Sequence, residues 1–265
     1  MNQNLIRTKP ASTPTNPWLM RPQPNPKAAL RLFCLPYAGG GASVFRRWAD
    51  KLPSNIEVCA LQLPGRESRL REAPFDRISP LVEAAAPALR EALDRPFAFF
   101  GHSLGASVSF ELARWFRRHY GLSPVALFIS GRQAPQLPET DPDIHELPDA
   151  EFIEELRSLN GTPPQVLDHP ELMELVLPML RADFAMCKEY AYVQEAPLDC
   201  PFYVFGGHDD KDVPRDYLEA WREHTSASFT LRMLPGDHFF IQTAETLLLE
   251  ILSRDIVRLL ASCAV

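Results

Sequence analysis

An apolar run, Phe97-Ala98-Phe99-Phe100, leads straight into Gly101-His102-Ser103-Leu104-Gly105, and an amphipathic stretch, Leu104–Tyr120, leads straight out. The pattern G-x-S-x-G alone recurs by chance. Set between a strand and a helix it describes a sharp turn that lifts a serine hydroxyl above the end of a sheet. The reason is steric. Glycines at both ends leave room where a Cβ would strike the neighbouring strand or helix. A turn at a helix N-terminus also aims free backbone N–H groups at incoming negative charge.

The rest of the chain fits that setting. Leu30–Leu35, Val58–Leu63, Phe97–Gly101, Val125–Ser130, Phe202–Phe205 and Phe229–Leu234 are short apolar runs bounded by Gly, Pro or polar residues, and read as strands. Helical patterns fall between them, at Pro80–Leu93, Leu104–Tyr120, Arg215–Thr225 and Ala244–Ser262. Such alternation predicts an α/β fold, a mostly parallel central sheet with helices on both faces. Residues 134–197 break it. Their helix-like pieces (Asp149–Leu159, Pro170–Leu177, Leu180–Tyr190) are cut by prolines, and the segment is expected to form a helical lid inserted over the C-terminal edge of the sheet.

Proline and charge are distributed accordingly. The 265 residues include 26 prolines, about twice the usual ~5%. Six lie in residues 1–28 and nine in residues 134–197. Residues 1–28 carry four basic and no acidic side chains; they are expected to form a disordered, Pro-rich basic tail. That leaves 29–265 as one domain, with the helical insertion at about 134–197. By segment the net charge is +4 for 1–28, +5 for 29–133, −11 for 134–197 and −5 for 198–265, which sums to −7. A net acidic chain argues against general nucleic-acid binding. No apolar run is long enough to span a membrane, and the N-terminal residues lack the apolar core of a signal peptide. Cys34, Cys59, Cys187, Cys200 and Cys263 show no C-x-x-C spacing. They read as reduced packing residues of a cytoplasmic protein.

A serine hydroxyl needs a base, and the base an orienting acid. On this kind of sheet the chain order is Ser, then Asp or Glu, then His. Of seven histidines, His238 follows the last strand in Leu234-Pro235-Gly236-Asp237-His238-Phe239-Phe240, where a base is expected. His102 lies inside the turn itself and is expected to point away from the reacting face of the serine. The acid falls in Gly206-Gly207-His208-Asp209-Asp210-Lys211-Asp212. Asp210 is the first candidate and Asp209 the second. The same cluster could hold a metal, but no second group of ligands accompanies it. Two backbone donors must meet the oxyanion. One is the N–H of Leu104; the other is expected from Pro36-Tyr37-Ala38-Gly39-Gly40-Gly41, with Ala38 ahead of Tyr37. This glycine-rich loop lacks both G-K-[ST] and G-x-G-x-x-G, which weakens a nucleotide reading.

Together these residues resemble the type II thioesterases that accompany polyketide and nonribosomal peptide assembly lines, within the α/β-hydrolase superfamily. The matching segments are Leu32–Ser43 (LFCLPYAGGGAS), Leu61–Arg69 (LQLPGRESR), Gly101–Ala106 (GHSLGA), Ile129–Pro135 (ISGRQAP), Phe205–Asp210 (FGGHDD) and Gly236–Phe240 (GDHFF). The resemblance implies Ser103, Asp210 and His238 as nucleophile, acid and base. It implies hydrolysis of acyl groups from the phosphopantetheine arm of an acyl or peptidyl carrier protein, a transient partner. No cofactor of the enzyme's own is expected. An oxygen-ester esterase, an acyl-CoA thioesterase and a non-catalytic scaffold are the competing readings. Because carrier proteins are typically acidic, a docking face is expected among Arg46, Arg47, Arg66, Arg69 and Arg71. Arg66 has a second reading, as support for its own loop. In Met173–Val193, apolar residues at helical spacing either pack on the body or line an acyl channel, a use that suits methionine.

Overall fold

The structure is a computed structural model that describes residues 16–138 and 143–262. Seven strands form one sheet: β1 (Leu19–Met20), β2 (Leu30–Leu35), β3 (Ile56–Leu61), β4 (Phe97–His102), β5 (Ala126–Ser130), β6 (Phe202–Gly207) and β7 (Phe229–Leu234). Their spatial order is β1-β3-β2-β4-β5-β6-β7. All neighbours are parallel except β1 and β3, which are antiparallel. The helices are α1 (Trp48–Lys51), α2 (Ile78–Arg90), α3 (Leu104–Tyr120), α4 (Asp149–Leu159), α5 (Pro164–Leu167), α6 (Pro170–Lys188), α7 (Arg215–Glu219), α8 (Phe240–Thr243) and α9 (Glu245–Ser262).

Strands β2 to β5 are buried at every position, as parallel strands covered on both faces must be. Alternate side chains therefore enter two separate cores. Phe33, Phe99 and Leu127 pack against α2 and α3. Leu32, Phe100 and Phe128 pack with Trp48 and the apolar side of α9. A third cluster, with Ile144, Phe152, Leu156, Leu167 and Met173, belongs to the segment between β5 and β6.

Two expectations need correction. The first concerns the basic tail. Residues 1–15 lie outside the described residues, but residues 16–28 are fixed on the edge of the sheet. Leu19 and Met20 pair with Leu61 and Ala60. Glu57, only 1% exposed, accepts hydrogen bonds from the Arg21 side chain, the Asn25 N–H and Arg31 Nε. A buried carboxylate left without partners would cost several kcal/mol, so Glu57 holds the segment that satisfies it. Proline content hid this, because the signal sits in two apolar residues, Leu19 and Met20, and one distant carboxylate, Glu57.

The second concerns α6, expected as two pieces broken at Pro178. It runs unbroken through that proline. A proline inside a helix costs about 3 kcal/mol. Met173, Met179, Leu180, Met186 and Cys187 are all buried along the same helix. At roughly 1.5–3 kcal/mol for each large apolar side chain, their burial outweighs the break. Elsewhere the differences are small: β3 begins two residues earlier than expected, and the 215–225 helix tightens to a 3₁₀ turn after Glu219.

Candidate active site

The loops that follow β2, β4, β6 and β7 gather at one end of the sheet, the carboxyl ends of its parallel strands, where open α/β sheets bind their ligands. Ser103 sits on the turn between β4 and α3 with φ 54° and ψ −119°. Non-glycine residues rarely adopt this backbone, which costs of order 1–3 kcal/mol. Close packing enforces it. A Cβ on Gly101 would lie 2.1 Å from the Gly105 carbonyl oxygen, and one on Gly105 would lie 2.2 Å from the Leu35 carbonyl oxygen. The Ser103 N–H donates to the Ser130 carbonyl at 2.8 Å, tying the turn to β5.

His238 Nδ1 and Asp210 Oδ2 are 2.8 Å apart. With the proton on Nδ1, the imidazole donates to the carboxylate and leaves Nε2 free for a substrate-side proton. The Asp210 side chain is fully buried. Its second oxygen accepts from the N–H groups of Asp212 and Val213, at 3.1 and 3.2 Å. Asp209 is exposed, and its N–H is spent on the Gly236 carbonyl. The contact to His238 is therefore made by Asp210 and not by Asp209. Ser103 and His238 line one cavity of about 580 Å³ together with Tyr37 and Ala38. Among the described residues no hydrogen bond joins their side chains, a contact that in such sites often tightens only with substrate in place.

Leu104 is the first residue of α3, and no side chain caps that helix. Its N–H has no intrahelical acceptor and lies one residue past the serine. Ala38 sits in a turn after β2, the strand beside β4. The two expected donors thus approach from adjacent strands.

His102 lies beneath this arrangement. It is buried, its Nδ1 is 2.8 Å from Ser130 Oγ, and its ring centroid is 5.3 Å from that of His238. Burial, and secondly the neighbouring His238, hold it well below the ordinary histidine range. It is neutral at pH 7 and supports the floor of the site.

A model of the thioesterase domain matches residues 30–256. The chain belongs to the thioesterase family. It is 48% identical to gramicidin S biosynthesis protein GrsT of Aneurinibacillus migulanus over 246 residues, 93% of this chain and 96% of that one. It is 40% identical to thioesterase PikA5 of Streptomyces venezuelae, over 88% of this chain and 83% of that one. Among solved structures it resembles the type II thioesterase BorB from the borrelidin biosynthetic cluster. The TM-score there is 0.84 and the identity 38%, covering 94% of this chain and 99% of BorB. The chain thus has the α/β-hydrolase fold of the type II thioesterases it resembles.

The thioesterase closes its cavity with the segment between β5 and β6. Leu156 and Leu159 of α4 and Leu180, Phe184 and Cys187 of α6 form that wall. Met173 and Met179 do not line the cavity but fill the segment's own core, and Met186 joins the sheet core. The share taken by α4 leaves little trace in the sequence, since Leu156 and Leu159 stand among mostly exposed polar residues. Phe239, next to the base, also lines the cavity.

The arginines divide. Arg66 and Arg69 are buried, whereas Arg46, Arg47 and Arg71 are exposed. Arg66 pairs with Asp183 and bonds the Gly40 carbonyl. Arg69 donates to the Gln62 carbonyl and lies over the Trp18 ring. Neither is available to a docking partner. Cys34, Cys59, Cys187 and Cys200 are buried, and Cys263 lies outside the described residues. Burial pushes the Cys59 and Cys200 thiols up to about 12, so they are inert as nucleophiles.

Proposed function

We propose that this thioesterase hydrolyses acyl groups held on the phosphopantetheine arm of acyl or peptidyl carrier proteins, clearing aberrant or stalled chains from a cytoplasmic polyketide or nonribosomal peptide assembly line. The observation that carries the reading is the His238–Asp210 contact at 2.8 Å, set in one cavity with the strained Ser103. The assembly-line setting is supported by its relatives, a gramicidin S biosynthesis protein and a type II thioesterase of the borrelidin biosynthetic cluster.

In this reading Ser103 Oγ attacks the thioester carbonyl while His238 Nε2 takes its proton. Asp210 holds the ring and stabilises the imidazolium. The N–H groups of Leu104 and Ala38 meet the oxyanion. The C–S bond then breaks, and His238 returns the proton to the departing pantetheine sulfur. Water, activated by His238, attacks the acyl-serine in the second half and releases the carboxylic acid. The enzyme contributes no cofactor; the phosphopantetheine arrives on the transient partner.

Comparing kcat/KM on a carrier-bound acyl thioester, the same acyl-CoA and a matched oxygen ester tests this. A clear preference for the carrier-bound thioester is expected. Equal rates on all three would remove the carrier role, and preference for the oxygen ester would make the chain an esterase.

A further inference from the structure

We propose that Asp183, together with Arg66, is a positioning residue for the donor loop Tyr37–Gly41, so that the helical segment over the site also sets the shape of its oxyanion hole. The proposal rests on the assignment of Ala38 as an oxyanion donor. Asp183 lies on α6, far from the loop in sequence, and is fully buried. Its Oδ2 accepts from the Gly39 N–H and from Arg66 Nη1, each at 2.7 Å, and its Oδ1 accepts from Arg66 Nη2 at 2.7 Å. Arg66 Nη1 also donates to the Gly40 carbonyl at 2.9 Å. One ion pair thus grips both an N–H and a C=O of the same tight loop.

The loop needs such a grip. The Gly40 N–H closes a turn on the Tyr37 carbonyl at 2.9 Å, and Gly39 has φ +79°. That is the third position of a type II turn, which only glycine occupies without strain. Type II and type I turns differ by rotation of the central peptide, here Ala38–Gly39. The N–H of that peptide is the group Asp183 holds. Rotating it would break the bond and disturb the adjacent Ala38 N–H. Leu180, one turn before Asp183, rests directly on the turn: a Cβ on Gly39 would come within 2.8 Å of its Cδ2. Further along, Glu67 accepts from the Ser43 N–H at 3.1 Å. Residues 66 and 67 therefore hold the loop at two points.

Stability does not explain a buried pair of this kind. Desolvating a carboxylate and a guanidinium costs several kcal/mol each, and an apolar pair of similar volume is often as stable or more so. What the pair supplies and an apolar pair cannot is directional hydrogen bonding to two specific backbone groups. In Asp183→Asn the single oxygen can serve Gly39 or the outer arm of Arg66, and the amide nitrogen then faces a donor.

The test uses the full chain, a small acyl N-acetylcysteamine thioester, and an alkyl trifluoromethyl ketone that adds to a serine as a tetrahedral oxyanion. For Asp183→Asn, kcat is expected to fall about 10- to 100-fold, as for small misplacements in an active site. KM should stay within about twofold, and ketone affinity should weaken in parallel with kcat/KM. Unchanged kcat and ketone affinity would overturn the proposal. So would a loss confined to KM. Should Asp183→Asn fail to fold, Arg66→Lys, which keeps the charge but loses the two-pronged geometry, is read by the same two quantities. A fully active Ser103→Ala would instead overturn the catalytic reading itself. A dead Ser103→Ala beside a fully active Asp183→Asn would remove only the positioning role.

Discussion

The sheet body and the helical segment over it are built by different means. Strands β2 to β5 are buried at every residue and feed two large cores. The segment between β5 and β6 instead folds around its own cluster of seven buried side chains. It joins the body through Met186 and Cys187, which enter the sheet core, through the Asp183–Arg66 pair, and through the return of residues 189–197 along α3, where Tyr190 donates to Glu111 at 2.6 Å and Glu195 pairs with Arg114 and Arg117. The charges differ too, at −11 for residues 134–197 against +5 for residues 29–133. Ser103, Asp210 and His238 all come from the body. The segment supplies the cavity wall. Substitutions in the two regions should therefore separate chemistry from selectivity.

The largest effects belong to the body. Ser103→Ala is expected to lower kcat on an acyl thioester by about 10⁶, as loss of a serine nucleophile does elsewhere. Asp210→Asn should cost about 10⁴ in kcat by favouring the wrong His238 tautomer, while Asp209→Asn should cost almost nothing. Steady-state kinetics with matched thermal melts checks both. An Asp209 effect as large as that of Asp210 would break the assignment.

The wall should behave differently. Phe184→Ala widens the cavity and is expected to shift the preferred acyl chain to greater length. Discrimination between chains differing by a methylene should change by about 10-fold or more. Turnover of a short acyl group should change little. Assays of kcat/KM across chain lengths report it, and a uniform drop at every length would mean that Phe184 serves the chemistry.

A smaller effect concerns docking. Reversing the charges of Arg46 and Arg47, both exposed, should raise KM several-fold for a carrier-bound substrate and leave a small-thioester KM unchanged. The gap should narrow at high salt. Equal shifts on both substrates would contradict a docking role for that face.

The smallest expected effect is on stability. Burial, and secondly Arg114, push His224 down to about 4, against about 6.5 in an unfolded chain. The unfolded state therefore takes up the proton first, and stability falls as pH drops from about 6.5 toward 4. His102, lowered by burial and then by His238, acts in the same direction. Melting temperature should fall as pH is lowered across that range. In His224→Gln the slope should be shallower.

The same contrast governs what could be read from the residues alone. Continuous apolar runs such as Leu30–Leu35 and Phe97–Phe100 announce buried parallel strands, and the serine turn is a local device with a local signature. The sheet and the order Ser103, Asp210, His238 were legible for that reason. The insertion was harder. Pro178 looks like a break until the buried side chains on either side are counted. The edge strand at Leu19–Met20 depends on Glu57, many residues away. Arg66 could be read as a docking charge or as support for its own loop, and its partner Asp183, distant in sequence, decides for the second. Pairings across such separations leave no periodicity to read.

The proposed chemistry requires the serine of the sheet body as nucleophile, although the cavity also presents Cys187 of the insertion. Rapid acid quench after mixing enzyme with a carrier-bound acyl thioester, followed by peptide mass mapping, tests it most directly. The acyl mass is expected on the peptide containing Ser103, present in wild type and absent in Ser103→Ala. An acyl group on Cys187, or acyl-enzyme persisting in Ser103→Ala, would contradict it.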